Sequence, residues 1–137
     1  SVKAVINTVQ AARPFMKAQG GGRIVNIVTE QWNEASPGSS AHVTGKAAMV
    51  GLARWLVCRL ASDNITINQV APGWTRTDRT GSRGTPDHPY IQATPLGRMA
   101  EAEDVGDACV FFMSDLGKYI SGAYLQVNGG RHPQMGN

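Results

Sequence analysis

The chain has 137 residues, 42% hydrophobic and 17% charged, a balance that suits one packed domain and excludes a disordered segment. Its formal charge is +3 and its pI about 9.1, yet the basic residues are scattered with no cluster of Lys, Arg and aromatics, which excludes nucleic acid as an expected partner. No apolar run is long enough to cross a bilayer and no signal-peptide pattern opens the sequence, so a cytoplasmic protein without a membrane partner is expected.

The chain opens at Ser1 directly in helical sequence, which is expected of a cut inside a larger protein. Apolar residues at Val2, Val5, Ile6, Val9, Ala12 and Met16 have helical spacing, with Pro14 an awkward guest. Gly20, Gly21 and Gly22 then act as a helix stop. Arg23 to Thr29 is short, β-branched and mostly apolar, as a buried parallel strand is. Glu30 to Ser40 reads as a loop, and Ala41 to Ser62 as a long helix with wide apolar coverage. Asp63-Asn64 turns into a second strand, Ile65 to Val70, so that strand, helix and strand form one right-handed crossover unit. Trp74 to Met99 is polar with little regular pattern, which suits a lid or binding loop. Glu101 to Met113 is a helix opened by acidic residues that suit its dipole, and Ala123 to Val127 is a last strand. The expected body is an α/β, partial Rossmann-like three-layer fold: a short parallel sheet with flanking helices and no partner for its exposed edges. Cys58 and Cys109 are expected as buried free thiols, and Met16, Met49, Met99 and Met113 as core filler. Trp55 reads as packing, in the core or at a partner helix.

Six segments occur in one order: Gly22-Arg23-Ile24-Val25-Asn26-Ile27, His42-Val43-Thr44-Gly45-Lys46-Ala47-Ala48, Asn68-Gln69-Val70-Ala71-Pro72-Gly73, Pro95-Leu96-Gly97-Arg98-Met99, Glu103-Asp104-Val105 and Gly129-Gly130. With these the chain resembles the C-terminal half of the short-chain dehydrogenases/reductases, from Ser1 to about Gly130. The resemblance implies a Rossmann-like domain and hydride transfer between NAD or NADP and a small alcohol or carbonyl substrate. It also implies that residues 1–137 are the C-terminal portion of such a domain, without the half that holds the cofactor phosphates. The glycines at 20–22 follow a helix instead of a strand, so they are not a dinucleotide fingerprint.

The resemblance carries a catalytic set onto this sequence. Thr29 stands thirteen residues before His42, where the family has a serine; it keeps the hydroxyl that holds the reacting oxygen. His42 stands at the position of the family's proton-transferring tyrosine, and Lys46, one helical turn on, is the family's lysine, which binds the nicotinamide ribose. The family's asparagine falls at Ser1. Pro72, Gly73 and Thr77 match the turn that touches the nicotinamide carboxamide and the pyrophosphate, so Lys46, Pro72, Gly73 and Thr77 are the expected cofactor-binding residues. Imidazole suits acid/base work near neutrality, but it reaches less far than a phenol, and a misplacement of ~1 Å can cost about 100-fold in rate. An idle His42 is the favoured reading.

Arg76, Arg79 and Arg83 could hold an anionic substrate, or be solvated without a specific role. Trp74 could line a substrate pocket or anchor a loop. His88 and His132 have no partners at metal spacing, so no metal site is expected. Two functions compete: a truncated or cleaved NAD(P)-dependent oxidoreductase with a degenerate catalytic set, and a non-catalytic subunit that oligomerises with an active homologue. A gene fragment without function is a third. In the family, helices such as 2–19 and 41–62 and the last helix and strand form subunit interfaces, which implies a homo- or hetero-oligomer.

Overall fold

A computed structural model describes residues 2–33, 40–81 and 84–131. Helix α1 runs Val2–Ala18, strand β1 Gly22–Ile27, helix α2 Ser40–Leu60, strand β2 Ile65–Pro72, the short helix α3 Pro89–Gln92, helix α4 Ala102–Met113 and strand β3 Tyr124–Val127. The three strands are parallel in the order β1-β2-β3. The predicted α/β architecture with a small parallel sheet is therefore present.

Side chains on a strand alternate between faces, and the register pairs Ile24 with Ile67. Both join Val9, Ala53, Leu56, Leu60 and Ile65 in a core under α1 and α2. A second cluster of Val28, Met49 and Ala71 continues that layer toward the strand ends. Arg23 takes the opposite face of β1 and reaches Asp115, just past α4, at 2.8 Å. Helix α4 packs on this other face, giving three layers. Gln69 lies beside Asn26 on the α1/α2 side, fully buried, with neither amide atom of its side chain hydrogen-bonded.

The end of α1 is made by backbone chemistry. Gly20 N donates to Lys17 O at 3.0 Å and Gly21 N to Met16 O at 2.9 Å, the two bonds of a Schellman cap. Gly20 has φ of +88°, and a Cβ on Gly21 would meet Asn64 O at 2.6 Å, so both positions favour glycine. Pro14 sits within α1 without ending it; the helix continues to Ala18 with Pro14 exposed.

Several expectations need correction. Strand β1 stops at Ile27, two residues early, because the chain turns into a short 3-10 segment, Glu30–Asn33, within the predicted loop. Helix α2 stops at Leu60, and Ala61–Asp63 tightens into another 3-10 turn ended by Asn64 at φ of 57°. The 74–99 segment holds α3, whose N-terminus is capped by His88. Cys58 is exposed and Cys109 only partly buried, because helical apolar spacing does not say which stripe the sheet covers. Met49 and Met99 are core residues, whereas Met113 is 59% exposed at the end of α4. Of the two readings of Trp55 the core one does not hold, since the ring is exposed, with Arg59 over it at 4.8 Å. Ser1, Arg83, His132 and most of the 30–40 loop fall outside the described residues.

Candidate active site

Three chain segments meet at the C-terminal ends of β1 and β2. Thr29 lies just past β1, Pro72 ends β2 with Gly73 after it, and His42 lies in the first turn of α2. They border a cleft of about 430 Å³ that also takes in Glu30, Trp74, Thr77, Arg79, His88 and Tyr90. The end of a parallel sheet is where α/β folds bind ligands, because connections diverge there and backbone groups are left free.

On one wall, Thr29 is buried, and its Oγ1 accepts from Gln31 N at 3.3 Å while its carbonyl accepts from the Tyr124 hydroxyl at 3.0 Å. His42 is exposed and faces the same space. Lys46 stands one turn further along α2, and its Nζ donates to Ile27 O at 2.5 Å. Burial lowers the Lys46 pKa from the ordinary lysine value.

The floor is the turn after β2. A Cβ on Gly73 would lie 2.5 Å from Tyr90 Oη and 2.9 Å from Asn128 Cβ, so only glycine lets these groups close over the strand end. Gly73 N donates to Val127 O at 2.9 Å, tying the turn to β3. Thr80 Oγ1 donates to Thr75 O at 2.7 Å, which leaves the Thr77 hydroxyl to donate to Thr80 Oγ1 at 2.8 Å. Arg76 pairs with Glu101 at 3.0 Å, and Arg79 stands exposed at the rim.

Glu30 and Tyr90, which also border the cleft, belong to a cluster that sequence reasoning missed. Glu30 is 2% exposed and accepts from Tyr90 Oη and from Asn128 Nδ2, the latter at 2.6 Å, with Arg131 at 3.5 Å. The Arg131 guanidinium also lies 4.2 Å over the Tyr90 ring. Burial first, then the Glu30 carboxylate, pushes the Tyr90 phenol well above its ordinary pKa, so it stays protonated. An acid directly after an apolar strand was the one available signal for Glu30; nothing local pointed to Tyr90, Asn128 or Arg131. A second hollow of about 360 Å³, between the start of α4 and the end of β3, contains Arg98 and Asp104, which pair with each other at 2.6 Å.

Thr29, His42, Pro72, Gly73 and Thr77 thus share one cleft, and Lys46 flanks it with its ammonium on the backbone. The family model described as enoyl-(acyl carrier protein) reductase matches residues 1–132. The chain belongs to the short-chain dehydrogenase/reductase family. It is 40% identical over 132 residues to a 3alpha-hydroxysteroid dehydrogenase of Mediterraneibacter gnavus, covering 94% of this chain and 52% of the relative. It is 34% identical to the 3-oxoacyl-[acyl-carrier-protein] reductase FabG of Staphylococcus epidermidis, over 96% of this chain and 54% of that protein. Among solved structures it is similar to a short-chain type dehydrogenase/reductase from Mycobacterium ulcerans, with a TM-score of 0.88, 26% identity and coverage of 95% and 48% of the two chains. It is also similar to a 7 alpha-hydroxysteroid dehydrogenase complexed with NADH and 7-oxo glycochenodeoxycholic acid, with a TM-score of 0.84, 30% identity and coverage of 93% and 51%. The chain spans about half the length of these curated relatives.

The nicotinamide dinucleotide that the family implies fits this chain in part. The close backbone approach at Gly73 and the hydroxyl of Thr77 suit the nicotinamide end. Gly20 and Gly21 cap α1 and Gly22 opens β1, all at the end of that strand away from the cleft, so these glycines do not suit the pyrophosphate.

Proposed function

We propose that this chain is the substrate-side half of an NAD(P)-dependent alcohol dehydrogenase or ketone reductase, with a degenerate catalytic set of Thr29, His42 and Lys46. The supporting observation is the shared cleft, in which a hydroxyl, an imidazole and a backbone turn without a side chain converge at the sheet's C-terminal edge. When bound, the nicotinamide supplies the hydride. The chain's own part is to orient and to manage a proton. Thr29 holds the substrate oxygen by a hydrogen bond, and Gly73 and Thr77 shape the seat for the nicotinamide end. Lys46 supplies positive charge from α2, and His42 takes the position where the family carries its tyrosine. The remaining phosphate-binding portion belongs to another segment under this reading, and the location is the cytoplasm.

The test has two arms. NADH and NADPH are titrated and nicotinamide fluorescence is followed; weak or no saturation by this chain alone is expected, and tight saturable binding would overturn the division of labour. His42→Tyr is then assayed on generic ketones in the presence of the phosphate-binding portion. A gain in reduction over the unaltered chain supports a competent site with a missing phenol, and no gain favours a structural role.

That second role, a non-catalytic subunit, rests on the outer apolar surface. Ile6, Phe15 and Trp55 are exposed on α1 and α2, and Val110, Met113, Leu116 and Tyr119 on and after α4. Such side chains are what a helical partner surface offers. Sedimentation at micromolar concentration distinguishes the cases: co-sedimentation with a full-length homologue supports the subunit reading, and a stable monomer opposes it.

A further inference from the structure

At the other end of the sheet from the cleft, an open hollow of about 690 Å³ lies at the N-terminal ends of β1 and β2. It is formed by the α1–β1 turn with Arg23, by Asn64 and Thr66 at the start of β2, and by Lys118 after α4. Its acceptors are taken. Gly20 O accepts from Asn64 Nδ2 at 2.9 Å, Gly21 O from Gln19 Nε2 at 3.0 Å, and Asn64 O from Gly22 N at 3.2 Å. Its donors are left over. Thr66 Oγ1 is closed off from water and has no hydrogen-bond partner, and Lys118 makes no ion pair among the described residues. Arg23 pairs at 2.8 Å with Asp115, but that carboxylate is 95% exposed, and an ion pair so solvated is weak. Asp63, beside Asn64 in the chain, is already neutralised by Arg13 at 2.6 Å and Lys17 at 3.0 Å.

We propose that this hollow binds a phosphate group, held by Arg23, Lys118 and the Thr66 hydroxyl. The proposal goes beyond the oxidoreductase reading and stands or falls separately from it, because the full length of β2 lies between the hollow and Gly73. The sheet register sets Arg23 beside Thr66, and Lys118 follows closely on the Asp115 that Arg23 reaches. Two cations against one solvated carboxylate leave the place net positive. Guanidinium and ammonium groups make their strongest hydrogen bonds to ionised oxygens. A buried hydroxyl without a partner costs free energy, and a phosphate oxygen is the acceptor that it lacks. A tetrahedral anion presents oxygens in three directions, as donors arriving from β1, β2 and the segment after α4 require. A planar carboxylate does not.

The test needs neither cofactor nor turnover. The 15N-labelled chain is titrated with inorganic phosphate and with glycerol 1-phosphate at constant ionic strength, with sodium chloride as the control. Saturable shifts are expected at the amides of Gly20 to Arg23, Thr66 and Lys118, with millimolar affinity, and none at Thr77. Lys118→Gln is expected to weaken phosphate about fivefold. Asp115→Asn removes the carboxylate that competes for Arg23 and is expected to tighten phosphate about twofold, a gain that a damaged fold does not produce. Thr66→Val, of nearly the same shape, is expected to weaken phosphate about threefold while the melting temperature of the free chain holds or rises, since an unpaired hydroxyl is lost. Tighter binding of the ester assigns the hollow to an organic phosphate and tighter binding of the free ion to phosphate itself; either supports the proposal. Shifts that chloride reproduces, shifts spread evenly over the chain's lysines and arginines, or an affinity indifferent to both Lys118→Gln and Asp115→Asn would overturn it. So would a Thr66→Val chain that melts lower and binds phosphate as before, because the hydroxyl would then have a partner within the fold.

Discussion

The two walls of the cleft are built to different standards. On the wall that carries the family motif, His42 is exposed and the Lys46 ammonium rests on a backbone carbonyl. On the other, Glu30 is almost wholly buried with Tyr90, Asn128 and Arg131 gathered on its carboxylate, and Gly73 leaves no space for even one extra carbon. A charge is kept inside a protein only where partners replace its lost water, so the second wall is where the chain has committed its structure. On the first wall Thr29 is buried as well, but His42 is left exposed.

Four measurements would break or sharpen that contrast. The largest effect is expected for Glu30→Leu, which removes the buried carboxylate that Asn128, Tyr90 and Arg131 share. Loss of a partner in a buried charge cluster costs on the order of 3–5 kcal/mol, read by urea unfolding, and a loss under 1 kcal/mol would show that the wall is not held as described. Gly73→Ala is next. Its Cβ must displace Tyr90 or Asn128, with overpacking costing about 1–3 kcal/mol and the Tyr90 environment changing in near-ultraviolet circular dichroism.

A pH effect comes third, at the far end of the 74–99 segment. The Arg98 guanidinium, at 2.6 and 3.0 Å, and then Glu101 N–H, at 2.8 Å, hold the Asp104 carboxyl down to about 2. An unfolded aspartate titrates near ~3.9, so the folded state binds fewer protons between these values. The stability from this contact is complete above pH about 4 and is lost as pH falls toward about 2. Asp104→Asn should flatten the melting temperature over that window, and an unchanged acid slope would deny the pair a role. The smallest effect is expected for His42→Ala. Exposed on the first turn of α2, it should leave stability within about 0.5 kcal/mol, and a larger drop would place His42 with the structural wall.

Much of the fold was legible because strands and helices have different apolar periods. The β-branched runs at 23–29 and 65–70 read as strands and the glycines after Gln19 as a helix end, although β1 proved to run from Gly22 to Ile27. Their exact limits were not legible, since the 3-10 turns at 30–33 and 61–63 depend on what the chain meets next. Cys58 and Met113 were misread for a related reason. A helix can carry apolar residues around much of its circumference, and only the packed assembly selects the face that is covered. Within the site, Thr29, His42 and Gly73 could be placed from local sequence and resemblance. Glu30 could not be matched with Tyr90, Asn128 and Arg131, because those partners lie sixty to about one hundred residues away.

The amino-acid sequence by itself determined the order of the three long helices and three strands, the parallel sheet, the family and part of the cleft's lining, because each follows from interactions between residues close along the chain or from motifs that survive as short strings. Only the tertiary structure decided which side chains close the other face, which thiol stays in water, and that the Lys46 ammonium rests on Ile27 O. Those outcomes depend on burial and on partners brought together by folding, and neither quantity exists until the sheet and its helices have packed.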